Sequence, residues 1–376
     1  MWVAEPRSRA VARRFAAPGL ACGLLLAGCV GAFQAAAPVA APSCRARSAP
    51  SAPDRTIDWR VPPESAERAR LDPWCAAVGA PAVIAAASAE RHRPVDSLVV
   101  VTWNSHGGGG DLARLVADLR AGKLTGGAPV EDFVLLLQEV HRGGDSLPED
   151  LAGARVPAPV REDPPTGERQ DVMEAARELG LAAFYVPSMR NGMAIGAAAE
   201  DRGNAVLSSL PLQSLRAVEL PVESQRRVAV ASTVTGIGHG GPWELTVVSA
   251  HLDTRSTGTR LWATLGAGRR RQAEQLVDGL PDHAATVLAG DLNTWSLGVL
   301  ESAVDYLRSH FTDTPPAPDG PTFGTGWGYA RRLDHMFFRL PDGWRARYER
   351  VDDRYGSDHH PCSAGSSWAA RYPPSR

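Results

Sequence analysis

An acid and an amide, Asp291 and Asn293, stand two residues apart just after the apolar run from Thr286 to Ala289. Residues two apart on an extended chain point to the same side, so both side chains are predicted to project together from the end of a buried strand. Such a pair can hold a water molecule or a metal ion at the mouth of a sheet, where open α/β folds bind their ligands. Gly-Asp-x-Asn is also an ordinary turn sequence, because Asp and Asn side chains hydrogen-bond to their own backbones. Other residues of the chain are needed to distinguish a binding site from a turn.

Polar residues that suit the same chemistry stand at the ends of other apolar runs. Glu139 follows the run from Phe133 to Leu137, and burying a glutamate there is costly unless it faces a cleft, a cation or a partner. Carboxylate and amide oxygens suit Mg²⁺, and a histidine can carry or release a proton near neutral pH. Taken singly, each residue is also consistent with a strand that has reached solvent or with a structural histidine. The further candidates are Asn104, Asn204, His251, Asp334, Asp358 and His359.

Short segments around these residues resemble the endonuclease/exonuclease/phosphatase superfamily, which includes deoxyribonuclease I, exonuclease III, neutral sphingomyelinases and inositol-polyphosphate phosphatases. The resemblance runs from about Ser97 to Pro361. The segments, in chain order, are Thr-Trp-Asn (102–104), Leu-Gln-Glu (137–139), Gly-Asn-Ala-Val-Leu-Ser (203–208), Ala-His-Leu (250–252), Gly-Asp-Leu-Asn (290–293), Leu-Asp-His (333–335) and Ser-Asp-His-His-Pro (357–361).

The resemblance implies a four-layer α/β sandwich over residues 96–376, in which two packed mixed β-sheets are flanked by helices as in deoxyribonuclease I. One departure is that the family continues after Pro361 into an apolar last strand, whereas Cys362 to Ser367 is small and polar. Apolar and alternating runs predict strands at 98–103, 133–137, 181–186, 202–208, 227–235, 243–250, 286–289, 333–338 and 345–351. Helices are predicted at 65–71, 76–90, 111–120, 171–180 and 259–280, and loops at 143–168 and 315–328.

The resemblance also assigns a metal site and a histidine pair. A divalent ion, Mg²⁺ with Mn²⁺ or Ca²⁺ as alternatives, would be held by Glu139 with Asn104 beside it, and Asp358 would sit near the metal or the phosphate. Asp334 would fix the tautomer of His359. This pair would act on the attacking water, either as a base or as an electrostatic stabiliser.

The remaining roles concern the water and the phosphate. By the same resemblance, Asp291 and Asn293 would position the water and a phosphate oxygen, His251 would stabilise the transition state across the scissile phosphate, and Asn204 would add a phosphate contact. Hydrolysis of a phosphate ester needs a cation on the phosphate oxygens, an activated water and help for the leaving oxygen. The candidate residues can supply all three.

The composition sets wide limits on this interpretation. The chain has 376 residues, 44% of them hydrophobic, and a formal charge of −2. That balance is typical of a globular protein with one large domain or two ordinary ones. It lacks a global basic signature for nucleic acid, although local arginines can still contact phosphate. Of 40 basic residues only Lys123 is a lysine, which we interpret as coding bias.

The N-terminus predicts export. Arginines precede an uncharged stretch from Phe15 to Gly28, as in a signal peptide, here residues 1–28. Leu26-Ala27-Gly28-Cys29 resembles the lipobox of bacterial lipoproteins, so acylated Cys29 is expected to anchor the protein to a membrane, facing the periplasm or the cell exterior. An ordinary cleaved signal, and secretion, is the alternative. Residues 29–53 are predicted to be a flexible tether and 54–95 an N-terminal extension; in an oxidising compartment Cys75 and Cys362 could pair.

Three functions remain open at this point. The first is an extracytoplasmic nuclease, a metal-dependent phosphodiesterase acting on DNA or RNA. The second is a phosphoesterase for lipid headgroups, of the sphingomyelinase or phosphoinositide phosphatase type. The third is a non-catalytic binding protein on the same scaffold. No protein partner is evident, and a monomer is expected.

Overall fold

A computed structural model describes residues 43–85, 94–144, 147, 168–191, 200–254, 266–294, 302–324, 330–340 and 344–368. The predicted signal peptide, Cys29, the first part of the tether and most of the predicted loop at 143–168 lie outside the described residues. Among the described helices, none combines the length and the apolar character that crossing a bilayer requires.

The bounds of the described elements are as follows. The strands are β1 (Ser48–Ala49), β2 (Ala52–Thr56), β3 (Asp58–Arg60), β4 (Ala82–Ile84), β5 (Ser97–Asn104), β6 (Phe133–Gly143), β7 (Ala182–Arg190), β8 (Glu200–Ser208), β9 (Leu212–Glu219), β10 (Val228–Gly238), β11 (Gly241–His251), β12 (Thr286–Asp291), β13 (Phe323–Gly324), β14 (Ala330–Arg331), β15 (Asp334–Arg339), β16 (Trp344–Arg350) and β17 (Cys362–Trp368). The helices are α1 (Ser65–Cys75), α2 (Leu112–Arg120), α3 (Val172–Glu178), α4 (Ala267–Asp278) and α5 (Ser302–His310), preceded by a 3₁₀ turn at Ser43–Arg45.

Two mixed sheets form the centre of the fold. One has six strands in the order β15-β12-β11-β10-β9-β3, and the other has seven in the order β16-β17-β5-β6-β8-β7-β4. Side chains from the two inner faces, such as Val134 and Val247, form one buried cluster between the sheets. A second cluster joins the outer face of the seven-stranded sheet to α2 and α3, and a third joins the outer face of the six-stranded sheet to α4 and α5. This layering confirms the predicted four-layer α/β sandwich.

Chain direction brings the polar strand ends together. β5 and β6 run parallel, with Asn104 opposite Gln138, and β11 and β12 run parallel, with His251 opposite Asp291. β15 is antiparallel to β12, so its first residue, Asp334, lies opposite Asp291. Because parallel strands end at the same edge of a sheet, each sheet presents its polar residues at one edge.

The last strand is formed in spite of its small, polar sequence. β17 lies between β16 and β5 and pairs with both, Cys362 facing Thr102 across the ladder. Cys362 and Ala364 are buried in the cluster between the sheets. Backbone pairing on both sides, together with small side chains on the inner face, replaces the apolar character that the family normally has here.

Two local predictions were wrong. The predicted helix at 76–90 is interrupted, since α1 ends at Cys75 and residues 82–84 form β4, an edge strand that pairs with β7. Gly79 and Pro81 stand between the two elements, and both residue types disfavour the continuation of a helix. β9, which carries alternating polar residues on a partly exposed strand, was not predicted.

The predicted tether ends earlier than expected. Residues 43–53 are folded, and Cys44 forms a disulfide with Cys75, with their Cα atoms 5.4 Å apart. Cys362 is a free, buried cysteine, so the hypothesis of a Cys75–Cys362 bridge was wrong. The reason is topological, because Cys362 lies on a central strand whereas Cys75 ends the peripheral helix α1.

The predicted N-terminal extension is part of both sheets. β3 adds a sixth strand beside β9, and β4 adds a seventh beside β7. Arg45 holds this region in place through Glu219, at 2.8 Å, and through Asp72 of α1, at 2.7 Å. The described residues from 43 onward therefore pack with the domain that was predicted to begin at residue 96.

Candidate active site

The two sheets are joined at their polar edge by a hydrogen bond between side chains. Asn104 ends β5 and donates from Nδ2 to Oδ2 of Asp291, which ends β12, at 3.0 Å. Oδ1 of Asn104 accepts the N–H of His106 at 3.0 Å, so both ends of the amide are held. Asn104 and Asp291 are both buried. The predicted metal ligand and the predicted water-positioning acid are thus direct neighbours.

Gly290 allows Asp291 to reach this position. Its φ is +153°, and a Cβ built on it would lie 1.8 Å from the carbonyl oxygen of Ala250. Only glycine therefore permits β12 to pack against β11 at this point. The close approach places Asp291 beside His251 and explains the glycine in Gly-Asp-x-Asn.

Asp334 and His359 form the predicted pair. Oδ2 of Asp334 lies 2.8 Å from Nδ1 of His359, and the Asp334 side chain is fully buried. Burial of the imidazole disfavours its charged form, but Asp334, with Asp291 and Asp358, outweighs that effect and raises the pKa of His359 to about 10. His359 is therefore an imidazolium at neutral pH. Of the two roles that the resemblance left open, this charge favours the electrostatic stabiliser over the base.

Asp291 stands between two histidines. Its Oδ2 lies 3.6 Å from Nε2 of His251 and 3.8 Å from Nε2 of His359, and its Oδ1 accepts the backbone N–H of Asn293 at 2.8 Å. Burial raises the pKa of Asp291 to about 7, although the His359 charge opposes that rise. A carboxyl group with this pKa can take a proton from a water molecule near neutral pH.

His251 is held in a different electrostatic environment. Nη1 of Arg227 donates to its Nδ1 at 3.0 Å, and Nδ2 of Asn293 lies 3.0 Å from its Nε2. Burial, followed by the charges of Arg227 and Arg202, holds the pKa of His251 well below its ordinary value. His251 is therefore a neutral imidazole, whereas His359 is a cation.

Glu139 reaches the cleft through an irregularity in β6. The pairing of β6 with β8 shifts register between Leu137 and Val140, and Glu139 takes a left-handed φ of +51°. A bulge of this kind redirects a side chain. The Glu139 carboxylate lies 3.5 Å from Nη1 of Arg202 and 3.8 Å from Nε2 of His251, with 17% of the side chain exposed. It is the partly exposed carboxylate that a bound cation needs.

Asp358 lies at the rim, next to a histidine that the sequence reasoning did not select. Its Oδ1 is 2.9 Å from Nδ1 of His106 and 3.9 Å from Nε2 of His359. The hydrogen bond to Asp358 raises the pKa of His106. The signal that could have identified His106 is its place two residues after Asn104, just beyond the end of β5.

Asn204 lies behind the site. It is buried on β8, and its Nδ2 donates to the carbonyl oxygen of Val228 on β10 at 2.9 Å. The bond links the two sheets next to Arg227. Within the described part of the chain, no hydrogen bond joins Asn204 to the acidic cluster, so its contact with phosphate stays a prediction.

Two sets of residues could hold a divalent ion. Asp291, Asp334 and His359 place ligand atoms within 4.8 Å of one another. Nδ1 of His359 is already bonded to Asp334, so this ring offers an ion only Nε2. The predicted set of Glu139, Asn104 and Asp358 offers only oxygen ligands, two of them on partly exposed carboxylates, and so fits Mg²⁺ better.

Arg202 and Arg227 were also missed by the sequence reasoning. They are 5% and 4% exposed and place positive charge beside Glu139 and His251. Each is the first residue of a predicted strand, 202–208 for Arg202 and 227–235 for Arg227. Their contacts join residues far apart in the chain, so no local pattern identifies them.

Comparison with known proteins gives a family match. A protein-family model described as "Endonuclease/Exonuclease/phosphatase family" matches residues 101–359. No curated protein matches the chain.

Solved structures resemble the chain in fold. An endonuclease/exonuclease/phosphatase from Beutenbergia cavernae has 23% identity, over 73% of this chain and 72% of that one, with a TM-score of 0.47. A family protein from Leptotrichia buccalis has 14% identity, over 71% and 98%, with a TM-score of 0.46. Sphingomyelinase C from Streptomyces griseocarneus has 20% identity, over 72% and 99%, with a TM-score of 0.40.

Proposed function

The chain belongs to the endonuclease/exonuclease/phosphatase family, and we propose that it is a Mg²⁺-dependent phosphodiesterase that cleaves DNA or RNA outside the cytoplasm. Enzymes of this family are generally phosphoesterases that depend on a divalent metal. The observation that carries the proposal is the Asp291 carboxylate, whose Oδ2 lies 3.6 Å from His251 Nε2 and 3.8 Å from His359 Nε2. A carboxyl group between a neutral and a charged imidazole can orient a water molecule next to a bound phosphate group.

The chemistry follows from this placement. In hydrolysis, the water oxygen bonds to phosphorus while the bond to the leaving oxygen breaks. Asp291 orients the water and accepts its proton, the His359 imidazolium stabilises negative charge on the phosphate oxygens, and His251 donates a hydrogen bond from the opposite side. A divalent ion held by Glu139 and Asn104 supplies Lewis-acid polarisation of the phosphate when bound.

Charge and surface support nucleic acid over lipid as the substrate. Arg202 and Arg227 place fixed positive charge next to Glu139 and His251, which favours an anionic substrate in the cleft. In the described part of the chain, the exposed large hydrophobic side chain is Ile237, on β10 next to the turn that joins β10 and β11. That turn lies at the opposite end of β11 from His251, so it does not bring an apolar surface to the site. A lipid-headgroup phosphoesterase is the second candidate.

Location outside the cytoplasm is supported by the Cys44–Cys75 disulfide, because such bonds persist in oxidising compartments. The proposal includes a membrane anchor on acylated Cys29, action as a monomer, and Mn²⁺ or Ca²⁺ as the alternative metals.

One assay tests the enzyme and its substrate. The purified protein is given plasmid DNA, RNA, sphingomyelin vesicles or phosphoinositide vesicles, with Mg²⁺ or with EDTA. We expect Mg²⁺-dependent cleavage of nucleic acid, reduced about 100-fold or more in Glu139→Ala and in His359→Ala. His239→Ala is the matched control, since that ring is 74% exposed and distant from the cleft.

The outcomes separate the candidates. Cleavage of lipids alone supports the second candidate. If no substrate is cleaved, or if Glu139→Ala and His359→Ala both cleave as well as the wild type, the enzyme proposal fails.

The anchor is tested by labelling cells with radioactive palmitate. We expect label on the wild-type protein and on Cys22→Ser, which changes a cysteine within the predicted signal, but not on Cys29→Ser. Label that persists in Cys29→Ser rules out Cys29 as the acylation site.

A further inference from the structure

Two N–H donors face the ring of His251. Nη1 of Arg227 lies 3.0 Å from Nδ1 of His251, and Nδ2 of Asn293 lies 3.0 Å from Nε2. The same Asn293 amide also donates to the carbonyl oxygen of Leu252 at 3.0 Å, which sets its orientation. A neutral imidazole has one nitrogen that accepts and one that carries hydrogen. The ring therefore cannot accept hydrogen bonds from both neighbours at once.

Arg227 determines which ring nitrogen of His251 accepts a hydrogen bond. A guanidinium has only donors and stays charged at any pH that a protein meets, so Nδ1 of His251 must be its acceptor. The hydrogen of the neutral ring then resides on Nε2. A protonated ring would direct an Nδ1–H against the guanidinium at 3.0 Å, so this contact favours the neutral form.

The Nε2–H has no good acceptor among the described side chains. Its nearest carboxylate oxygens are Oδ2 of Asp291, at 3.6 Å, and Oε1 of Glu139, at 3.8 Å, both beyond ordinary hydrogen-bond length. Nδ2 of Asn293 lies 3.0 Å from this nitrogen, so two donor atoms stand side by side at the cleft. Two donors that converge without an acceptor can share one oxygen of an anion, and a phosphate oxygen fits that place.

Arg227 itself is placed at a cost to stability. It is 4% exposed, its Nε has no hydrogen-bond partner in the described structure, and within the same residues its side chain contacts His251 and no carboxylate. Burying an arginine without an acidic partner is unfavourable. The backbone on either side is nevertheless rigid, because Arg227 O accepts from Leu220 N at 3.0 Å and Val228 O accepts from Asn204.

We infer that Arg227 is a positioning residue that holds His251 as the Nε2–H tautomer, so that His251 and Asn293 form a two-donor site for one phosphate oxygen. This inference rests on the proposed function for the role of the site, but the tautomer itself does not depend on it. Arg227 acts through His251, because its Nη1 is directed at the far side of the ring from the cleft acids.

The first test reads the tautomer directly. The full chain is labelled with ¹⁵N-histidine, and the His251 ring is assigned by loss of its signals in His251→Gln. We expect an Nε2–H tautomer in the wild type and in Arg227→Lys, which keeps an obligatory donor, and an Nδ1–H tautomer in Arg227→Met, where Asn293 becomes the donor to Nε2. Arg216→Met, which removes an arginine bonded to Asp58 and Gly279, should leave the wild-type tautomer. An Nδ1–H tautomer in the wild type, or Nε2–H retained in Arg227→Met, overturns the inference.

The second test is a double-mutant cycle on the phosphodiesterase activity. We expect kcat to fall about 100-fold in Arg227→Met with KM changed less than about threefold, and to recover to within about tenfold in Arg227→Lys. His251→Ala and the double variant Arg227→Met/His251→Ala should be equally impaired, because Arg227 has no ring left to position. Losses that multiply in the double variant would show that Arg227 contacts the substrate itself, and would overturn the positioning role.

The two tests fail in distinguishable ways. If the wild type cleaves no phosphodiester, the proposed function fails while the tautomer measurement still decides the Arg227–His251 relationship. If Arg227→Met unfolds, which circular dichroism would detect, the His251 tautomers of the wild type and of Arg227→Lys still test the inference.

Discussion

His251 and His359 approach the same oxygen of Asp291, at 3.6 and 3.8 Å, but their Nδ1 atoms meet opposite charges. Asp334 lies 2.8 Å from Nδ1 of His359, and Arg227 lies 3.0 Å from Nδ1 of His251. One ring is therefore a cation and the other a neutral donor. In the proposed mechanism, His359 stabilises negative charge and His251 donates a hydrogen bond, because their environments separate their pKa values.

Replacing Asp334 by Asn should lower the pKa of His359 from about 10, because burial then acts without the carboxylate that opposes it. NMR titration of His359 measures the shift, and kcat is expected to fall about 100-fold. The pair stabilises the fold most below the ordinary histidine pKa of 6.5 and progressively less as the pH rises through about 10. The loss of unfolding free energy in Asp334→Asn should therefore be greatest near pH 6 and shrink toward pH 10; a loss independent of pH would contradict it.

Arg202 should weaken metal binding in the absence of substrate. Its guanidinium lies 3.5 Å from the Glu139 carboxylate and repels a cation that uses the same group. Arg202→Met is expected to bind Mg²⁺ about threefold to tenfold more tightly, an effect of the size that one nearby charge has in a partly exposed site. Calorimetric titration without substrate measures it, with Arg216→Met as the control. Unchanged or weaker Mg²⁺ binding would mean that Glu139 is not a metal ligand or that Arg202 does not repel the bound ion.

At the scale of elements, a segment with little regular structure positions Asp334 and His359, two of the candidate catalytic residues. Residues 311–322 connect α5 to β13. Within this segment, Oγ1 of Thr322 accepts the N–H groups of Leu333 and Asp334, both at 3.0 Å, where β15 begins. The carbonyl oxygen of Thr322 accepts the N–H of His360 at 2.7 Å. Thr322 thereby sets the distance between Asp334 and the turn that carries His359.

Thr322→Val should therefore affect both stability and activity. It leaves two buried N–H groups without an acceptor, which is expected to lower the unfolding free energy by about 2–4 kcal/mol. A fall in kcat should accompany the loss, because the Asp334–His359 distance is no longer held. Thr322→Ser keeps the hydroxyl and is the matched control, so chemical denaturation and kinetics of both variants give the comparison. Equal behaviour of the two variants would mean that Oγ1 is not the relevant group.

At the scale of the whole molecule, the N-terminal region is part of the sandwich. Its strands β3 and β4 close one edge of each sheet, and the Cys44–Cys75 disulfide joins the first turn to the end of α1. Arg226 forms a fully buried salt bridge with Glu219, at 2.5 Å, and donates to Cys44 Sγ at 3.5 Å. This region thus packs beside the residue that precedes Arg227, at the catalytic edge of the fold.

Loss of the disulfide should destabilise the whole domain. The bond closes a loop with a sequence separation of 31 residues, for which the chain-entropy relation gives about 3–4 kcal/mol. The Cys44→Ser/Cys75→Ser variant should have a lower Tm than the wild type, and dithiothreitol should lower the Tm of the wild type alone. If dithiothreitol leaves the Tm of the wild type unchanged, the bond does not stabilise the domain.

The amino-acid sequence by itself determined the fold class and the strands that carry the candidate site. Asn104, Glu139, Asp291 and His359 stand next to apolar runs, and residue type and burial periodicity are local properties that the order of residues encodes. Gly290, next to Asp291, is also a matter of residue type, because only glycine allows two strands to approach as closely as β12 and β11 do here.

Only the tertiary structure decided what the side chains do there. The charge of His359 and the tautomer of His251 depend on Asp334 and Arg227, which lie 25 and 24 residues away in the chain. The partner of Cys75 and the entry of β17 into the seven-stranded sheet likewise depend on which elements become neighbours. Electrostatic effects and covalent pairing are set by distances of a few ångströms in space, and local sequence patterns carry no information about such distances.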